Sequence, residues 1–266
     1  MRKTLLWVLA VVLTLAAAVY QRMTGPTYPV RGEADISGTP VSFRLVRSAE
    51  TARDLEITVK NTDDSLSGYV EYKYFKTDDP WTRVEMVRSG AVLSAFLPKQ
   101  PPAGKLAYRV VLIKDGREMP LNGGTPVVVR FKGGVPGAVQ IPHILVMFLA
   151  MVFSIRAGLA ALDKAEKLRK LVIATCVLLF VGGIILGSLT QFYAFGKFWT
   201  GFPFGMDLTD NKTLLAMIAW LAALVAGRKG KAARGWVLAA SILLLIVFSI
   251  PHSLLGSELD FSKLPK

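Results

Sequence analysis

Among 266 residues the sequence holds one cysteine, Cys176, and two histidines, His143 and His252. A disulfide within the chain is therefore excluded. Cys176 sits inside an apolar run with no base beside it, so it reads as a small buried residue rather than a nucleophile. The sequence also lacks G-x-S-x-G, H-E-x-x-H and any glycine-rich phosphate loop, since "GGTP" and "FKGG" are turns. A C-x-x-C-H attachment site for haem is impossible with one cysteine. No internal repeat and no low-complexity tract is present. The chain that remains is one without a recognisable catalytic motif, and its information lies in where polarity is placed.

The formal charge of +13 suggests nucleic acid until its distribution is considered. Residues 25–132 carry 16 Lys/Arg and 13 Asp/Glu, a net of only +3. The excess collects at Arg2–Lys3, Arg156–Lys170 and Gly227–Arg234, at alternate ends of apolar blocks. That is the positive-inside pattern of a membrane protein, and it argues against a nucleic-acid partner. Hydrophobic residues make up 52% of the chain, more than an ordinary soluble domain of this length carries.

Residues 1–22 have a basic start and about 16 apolar residues. Ala16 and Ala18 fit a small-x-small cleavage pattern, but Gln21 and Arg22 come next without a polar cleavage region. The segment reads as a signal anchor or a signal peptide, with the anchor favoured, and either one exports the residues after it. Residues 25–132 then alternate apolar and polar positions in "VSFRLV", "DLEITVK", "GYVEYKYF", "TRVEMV", "AVLSAFL", "KLAYRVVLIK" and "PVVVRFK", separated by turn-forming stretches. Seven such segments predict an antiparallel β-sandwich, with Tyr72, Tyr74, Trp81 and Tyr108 as its aromatic core and rim. Through "YVEYKYFKTDDPWTRVEM", "LSAFLP" and "KLAYRVVLIKDG" this portion resembles a fibronectin type III or immunoglobulin-like domain. The resemblance implies a module that binds, spaces or packs, and carries no activity.

A linker, 133–140, leads to four apolar segments within 141–252: 141–162, 171–190, 213–226 and 235–250. The third is short unless it reaches 211 and 228. The fold class is thus α+β: an N-terminal helix, an Ig-like antiparallel sandwich, then a four-helix transmembrane bundle. With the sandwich outside, loops 156–170 and 227–234 fall inside; loop 191–212 and the tail 253–266 fall outside. This describes a bacterial inner-membrane protein whose partners are the bilayer and a periplasmic or membrane protein. "TGPTYP", "WTGFPFGMDLTDNKT" and "IPHSLLGSELD" are similar to stretches in a group of bacterial membrane proteins; the similarity implies the same architecture and no activity. Arg156, near an inner end, is placed to snorkel to the inner surface.

This topology gathers the unusual polar residues on one side. His143 in "IPHI" and His252 in "IPHS" share a depth, with Asp207, Asp210, Asn211 and Lys212 in the loop and Ser253, Glu258 and Asp260 in the tail. Three readings compete. In the first, Thr209, Asp210 or Asn211 caps a helix and the aromatics around 192–204 form an interfacial belt. In the second, His143 and His252 hold haem b or another metal, with Met147 and Met151 at four-residue spacing from His143 as soft ligands. In the third, the outer carboxylates beside the imidazoles serve a membrane hydrolase or transferase, or hold a divalent ion, and lysines 197 and 212 meet an anionic headgroup. The sequence favours a non-enzymatic accessory, binding or sensory role.

Overall fold

The computed structural model describes residues 2–163, 166–227, 233–252, 258–259 and 261. The chain divides into two compact units, one of residues 1–26 and 135–257, the other of 27–134 and 258–266. The architecture is mixed α+β, with antiparallel sheets in one unit and apolar helices in the other.

In the second unit β1 (Val30–Ile36) and β2 (Thr39–Leu45) form a hairpin. Its turn places Ser37 and Gly38 at positive φ, and the Gly38 N–H donates to Asp35 Oδ1 at 2.6 Å. A Cβ on Gly32 would lie 2.6 Å from the Phe43 ring, so the glycine makes room for the aromatic across the strand pair. A second sheet runs β3 (Ser48–Glu50), β11 (Val127–Lys132), β9 (Lys105–Lys114), β5 (Ser67–Tyr74), β6 (Thr82–Glu85), with β10 (Arg117–Pro120) also on β9. A third runs β4 (Leu55–Lys60), β8 (Val92–Leu97), β7 (Val87–Ser89). All pairs are antiparallel except β3 with β11.

Alternation explains the edges: β4 reads "LEITVK", with Ile57 and Val59 buried and Glu56, Thr58 and Lys60 exposed. The central β9 is buried on both faces through Leu106, Tyr108, Val110 and Leu112 and their neighbours. These residues share one apolar core with Ile36, Leu45, Val70, Leu97 and Phe131. Tyr108 is fully buried and its hydroxyl donates to the Val46 carbonyl at 2.8 Å, while Trp81 lies under Arg109 and Lys73. Among the described residues eleven short strands thus replace the seven read from alternation. The additional ones, β1, β3, β7 and β10, are charged or three to four residues long, and pairing rather than pattern makes them strands.

The other unit comprises α1 (Arg2–Thr24), α2 (Gly137–Ala161), α3 (Arg169–Leu179), a π-helix (Phe180–Leu186), α4 (Gly187–Phe195), α5 (Leu208–Ala226) and α6 (Ala233–Ser249). Among the described residues four helices are long and apolar enough to cross a membrane: 3–24, 137–161, 169–195 and 208–226; α6 is a shorter apolar helix. Helix α2 packs against α1, α3 and α6, and α5 against α3 and α6. Small residues set these approaches. A Cβ on Gly158 would lie 2.4 Å from Ser241 Oγ, and Ser241 Oγ donates to the Ser154 carbonyl at 2.9 Å. In the π-helix, a Cβ on Gly182 would meet Met147 Sδ at 2.8 Å, and one on Gly183 would meet Thr213 Cγ2 at 2.7 Å. The "GG" pair therefore lets this segment lie between α2 and α5. Cys176 is buried, with Sγ 3.5 Å from the Trp220 carbonyl.

Candidate functional site

The ends of the helices define two polar clusters. At one, Arg156 is only 3% exposed and its Nη2 donates to both oxygens of Glu166 at 2.7 and 2.9 Å. Arg156 therefore does not snorkel; a carboxylate ten residues on neutralises it within the fold, and the Trp7 ring lies 5.6 Å from its guanidinium. Arg234 donates to the carbonyls of Ala160, Asp163 and Glu166, closing the C-terminal turn of α2.

At the opposite end the start of α5 meets the end of α6. Asp207 is the N-cap of α5, its carboxylate accepting the Thr209 N–H at 2.8 Å. The buried Asp210 accepts from the Thr200 N–H at 2.6 Å, the Thr200 hydroxyl at 3.2 Å and the Gly201 N–H at 3.0 Å. Asn211 Oδ1 accepts the Phe202 N–H at 2.7 Å. Three of the four loop residues thus start a helix and pin the preceding loop, whose Phe202, Phe204 and Met206 are exposed. The fourth, Lys212, is buried and its ammonium donates to the Ile250 carbonyl at 2.6 Å, capping the far end of α6.

Beside this cap lies a cavity of ≈190 Å³ bounded by α1, α2 and the end of α6. His143, Met147 and Met151 line it from α2, and His252, itself exposed, lines it from beyond α6. The wall from α1 includes Thr14, Ala17 and Gln21. Gln21 Nε2 donates to the Phe248 and Ile250 carbonyls, tying the end of α1 to that of α6. The Thr14 hydroxyl donates to the Ala10 carbonyl at 2.8 Å. His143 Nδ1 lies 2.9 Å from the Gly182 carbonyl. A carbonyl only accepts, so Nδ1 carries the proton and a neutral ring keeps its Nε2 lone pair. The same carbonyl accepts the Gly187 N–H from five residues on, as π-helical geometry requires.

The polar residues singled out in the sequence thus separate into three groups. His143, His252, Met147 and Met151 line one cavity. Asp207, Asp210, Asn211 and Lys212 are engaged in caps and a loop clasp beside it. Glu258 belongs to the β unit, where it pairs with Lys105 at 2.8 Å and Lys76 at 3.1 Å. Partial burial pushes its carboxyl up, but hydrogen bonds and charge from the two ammonium groups outweigh this and hold it below the usual range. Near it the Leu259 N–H donates to the Ala103 carbonyl, and Phe261 packs on Tyr74 with ring centroids 4.6 Å apart. Ser253 and Asp260 lie outside the described residues. Sequence reading missed Thr14, Gln21 and Gly182; only the unexpected polarity of Gln21 directly after an apolar run hinted at the first helix. Among the described residues no group of three or more His, Cys, Asp or Glu is placed to hold a metal ion. No protein-family model and no curated protein matches the chain.

Proposed function

We propose that this chain is an integral membrane protein of the bacterial inner-membrane type, with an exported Ig-like β unit and a helical unit whose cavity, between His143 and His252, is a non-catalytic binding site. The observation that carries this reading is the cavity's construction. One of its walls is α1, which sequence alone would allow to be a removable leader. With Gln21 fastened to the last turn of α6, α1 serves as a structural helix of the unit and is retained. Sidedness is argued from the order of the helices and from the basic residues Arg156, Lys167, Arg169, Lys170 and Arg234 at the end opposite the histidines. The protein then works as a binding or sensory component, its β unit contacting a periplasmic or membrane partner.

Two other readings find less support. A hydrolase or transferase needs a free carboxylate at the site, whereas Asp207 and Asp210 are engaged with backbone amides and, among the described residues, no carboxylate lines the cavity. Haem b between the histidines needs space for a macrocycle. The cavity is smaller than the ~300–1,000 Å³ of pockets that hold drug-sized ligands.

The test combines intact mass with cysteine labelling. In a Cys176→Ser background, Phe204→Cys and Asp78→Cys should react with a membrane-impermeant maleimide from the outside, and Lys167→Cys only after the membrane is opened. The mature protein should retain residues 1–22. Removal of α1, or labelling of Phe204→Cys and Asp78→Cys from opposite sides, overturns the reading.

A further inference from the structure

We infer that the cavity between α1, α2 and the end of α6 is a site for a soft monovalent metal ion, Cu(I), held by His143 Nε2, the Met147 thioether and His252. The inference rests on the proposed retention of α1, which walls the cavity, and adds the chemical class of its ligand.

The donor inventory excludes hard cations first. Calcium and magnesium require several oxygen ligands, usually carboxylates. Among the described residues no carboxylate lines the cavity, and its side-chain oxygens are only two, the Thr14 hydroxyl, which donates to its own helix, and the Gln21 amide oxygen, too few for a hard cation. What remains is two imidazoles and two thioethers. Thioether sulfur selects Cu(I), and imidazole serves copper equally well, so the mixed set points to copper rather than zinc.

The geometry narrows the set further. His143 and Met147 are one helical turn apart, so both side chains reach one point. Both also meet the same residue across the helix interface: His143 Nδ1 lies 2.9 Å from the Gly182 carbonyl, and Met147 Sδ lies 2.8 Å from where a Gly182 Cβ would stand. Met151 is two turns from His143, a rise of about 12 Å, too far for both to bind one ion. It is a buried neighbour rather than a third α2 ligand. His252, in the chain just beyond α6, lines the same cavity. The Nδ1–H···O bond to Gly182 is the outer support that metal-binding histidines characteristically have: it fixes the tautomer and the ring plane. Phe148 and Phe248 in the same lining keep the site apolar, which suits an ion of single charge with neutral ligands.

The experiment uses untagged full-length protein in detergent, titrated anaerobically with Cu(I) against a chromogenic Cu(I) chelator. One Cu(I) per chain is expected, not displaced by equimolar Zn(II). His143→Gln, Met147→Leu and His252→Gln should each lower the affinity at least ~tenfold, in the range of metal-site substitutions. Met151→Leu should leave it within about twofold, because that sulfur lies a turn beyond the ion's reach. Folding of every variant is checked by its thermal transition. Folded wild type that yields all its copper to the chelator overturns the inference, as does equal loss in Met147→Leu and Met151→Leu, or displacement by Zn(II). If α1 is present and copper is not bound, this inference alone falls; if α1 is absent from the mature chain, the reading beneath it falls too.

Discussion

Both ends of the helical unit are fastened by charged side chains, and at one of them a cavity lies beside the fastening. At the Arg156 end, charges neutralise each other and cap carbonyls: Arg156 with Glu166, Arg234 with the end of α2. At the His143 end, Asp207, Asp210, Asn211 and Lys212 perform the same kind of fastening, and a cavity lined by uncharged donors lies beside them. A buried charge is costly unless partnered, so it is a poor candidate for a vacant ligand. A neutral imidazole or thioether can face a cavity at little cost. The difference teaches that in this molecule the most polar residues hold the frame, and the less polar ones are left to bind.

That contrast can be broken by substitution. The largest effect is expected at Glu166→Gln, which leaves Arg156 charged and buried. It should destabilise the helical unit by about 3–5 kcal/mol, whereas Arg156→Met combined with Glu166→Leu should recover most of the loss. Thermal unfolding in detergent measures both; a negligible cost for Glu166→Gln would remove the fastening role assigned to that end. Next comes Asp210→Asn, which weakens three hydrogen bonds to a carboxylate, at about 2 kcal/mol. It should also hasten proteolysis in residues 196–206 while leaving Cu(I) affinity unchanged. Asp207→Ala removes an N-cap at about 1 kcal/mol. The smallest effect on stability is expected at His252→Gln, within about 0.5 kcal/mol as for an exposed position, although it should cost the most in binding. If His252→Gln instead destabilises the protein as strongly as Asp210→Asn, the two ends are alike and the contrast is lost.

Much of this arrangement is legible in the sequence, for identifiable reasons. Strands β2, β4, β8 and β11 follow from period-two alternation, and the helical segments from long apolar runs bounded by basic residues. The start of α5 is read from sequence only approximately: Thr209, Asp210 or Asn211 is the expected cap, whereas Asp207 takes that position and Asp210 and Asn211 hold the preceding loop instead. Sequence brings His143 and His252 together only on condition that the helices form a bundle with the start of α2 and the end of α6 on one side; both residues do line one cavity. Other features are set by contacts between distant residues, which local pattern does not encode. "FVGGIIL" gives no local sign of π-helical geometry; the neighbours Met147 and Thr213 explain the glycines. Arg156 reads as a surface-seeking residue until Glu166 is brought against it. Glu258 reads as part of the polar loop end, but Lys76 and Lys105, some 150 to 180 residues earlier, bind it to the β unit. The first helix shows in sequence only as an export segment, because its packing against α2 and α6 rests on modest contacts: Thr14, Ala17 and one ring pair, Trp7 with Phe153 at 5.0 Å.

The π-helix has one consequence of its own. Residues 180–186 are wound more widely than the helices on either side, so deleting a single codon there would let α3 run straight into α4 with ordinary spacing. The wide turn already absorbs the extra residue, so later side chains would keep nearly the same bearing about the helix axis and shift mainly along it, by about 1.5 Å. Gln191 would keep its side toward Thr200, whereas the Gly182 oxygen would be drawn into ordinary helical pairing and away from the imidazole it now steers. A lineage could thus retune the histidine by changing the length of a neighbouring span, without touching a single residue that faces the cavity.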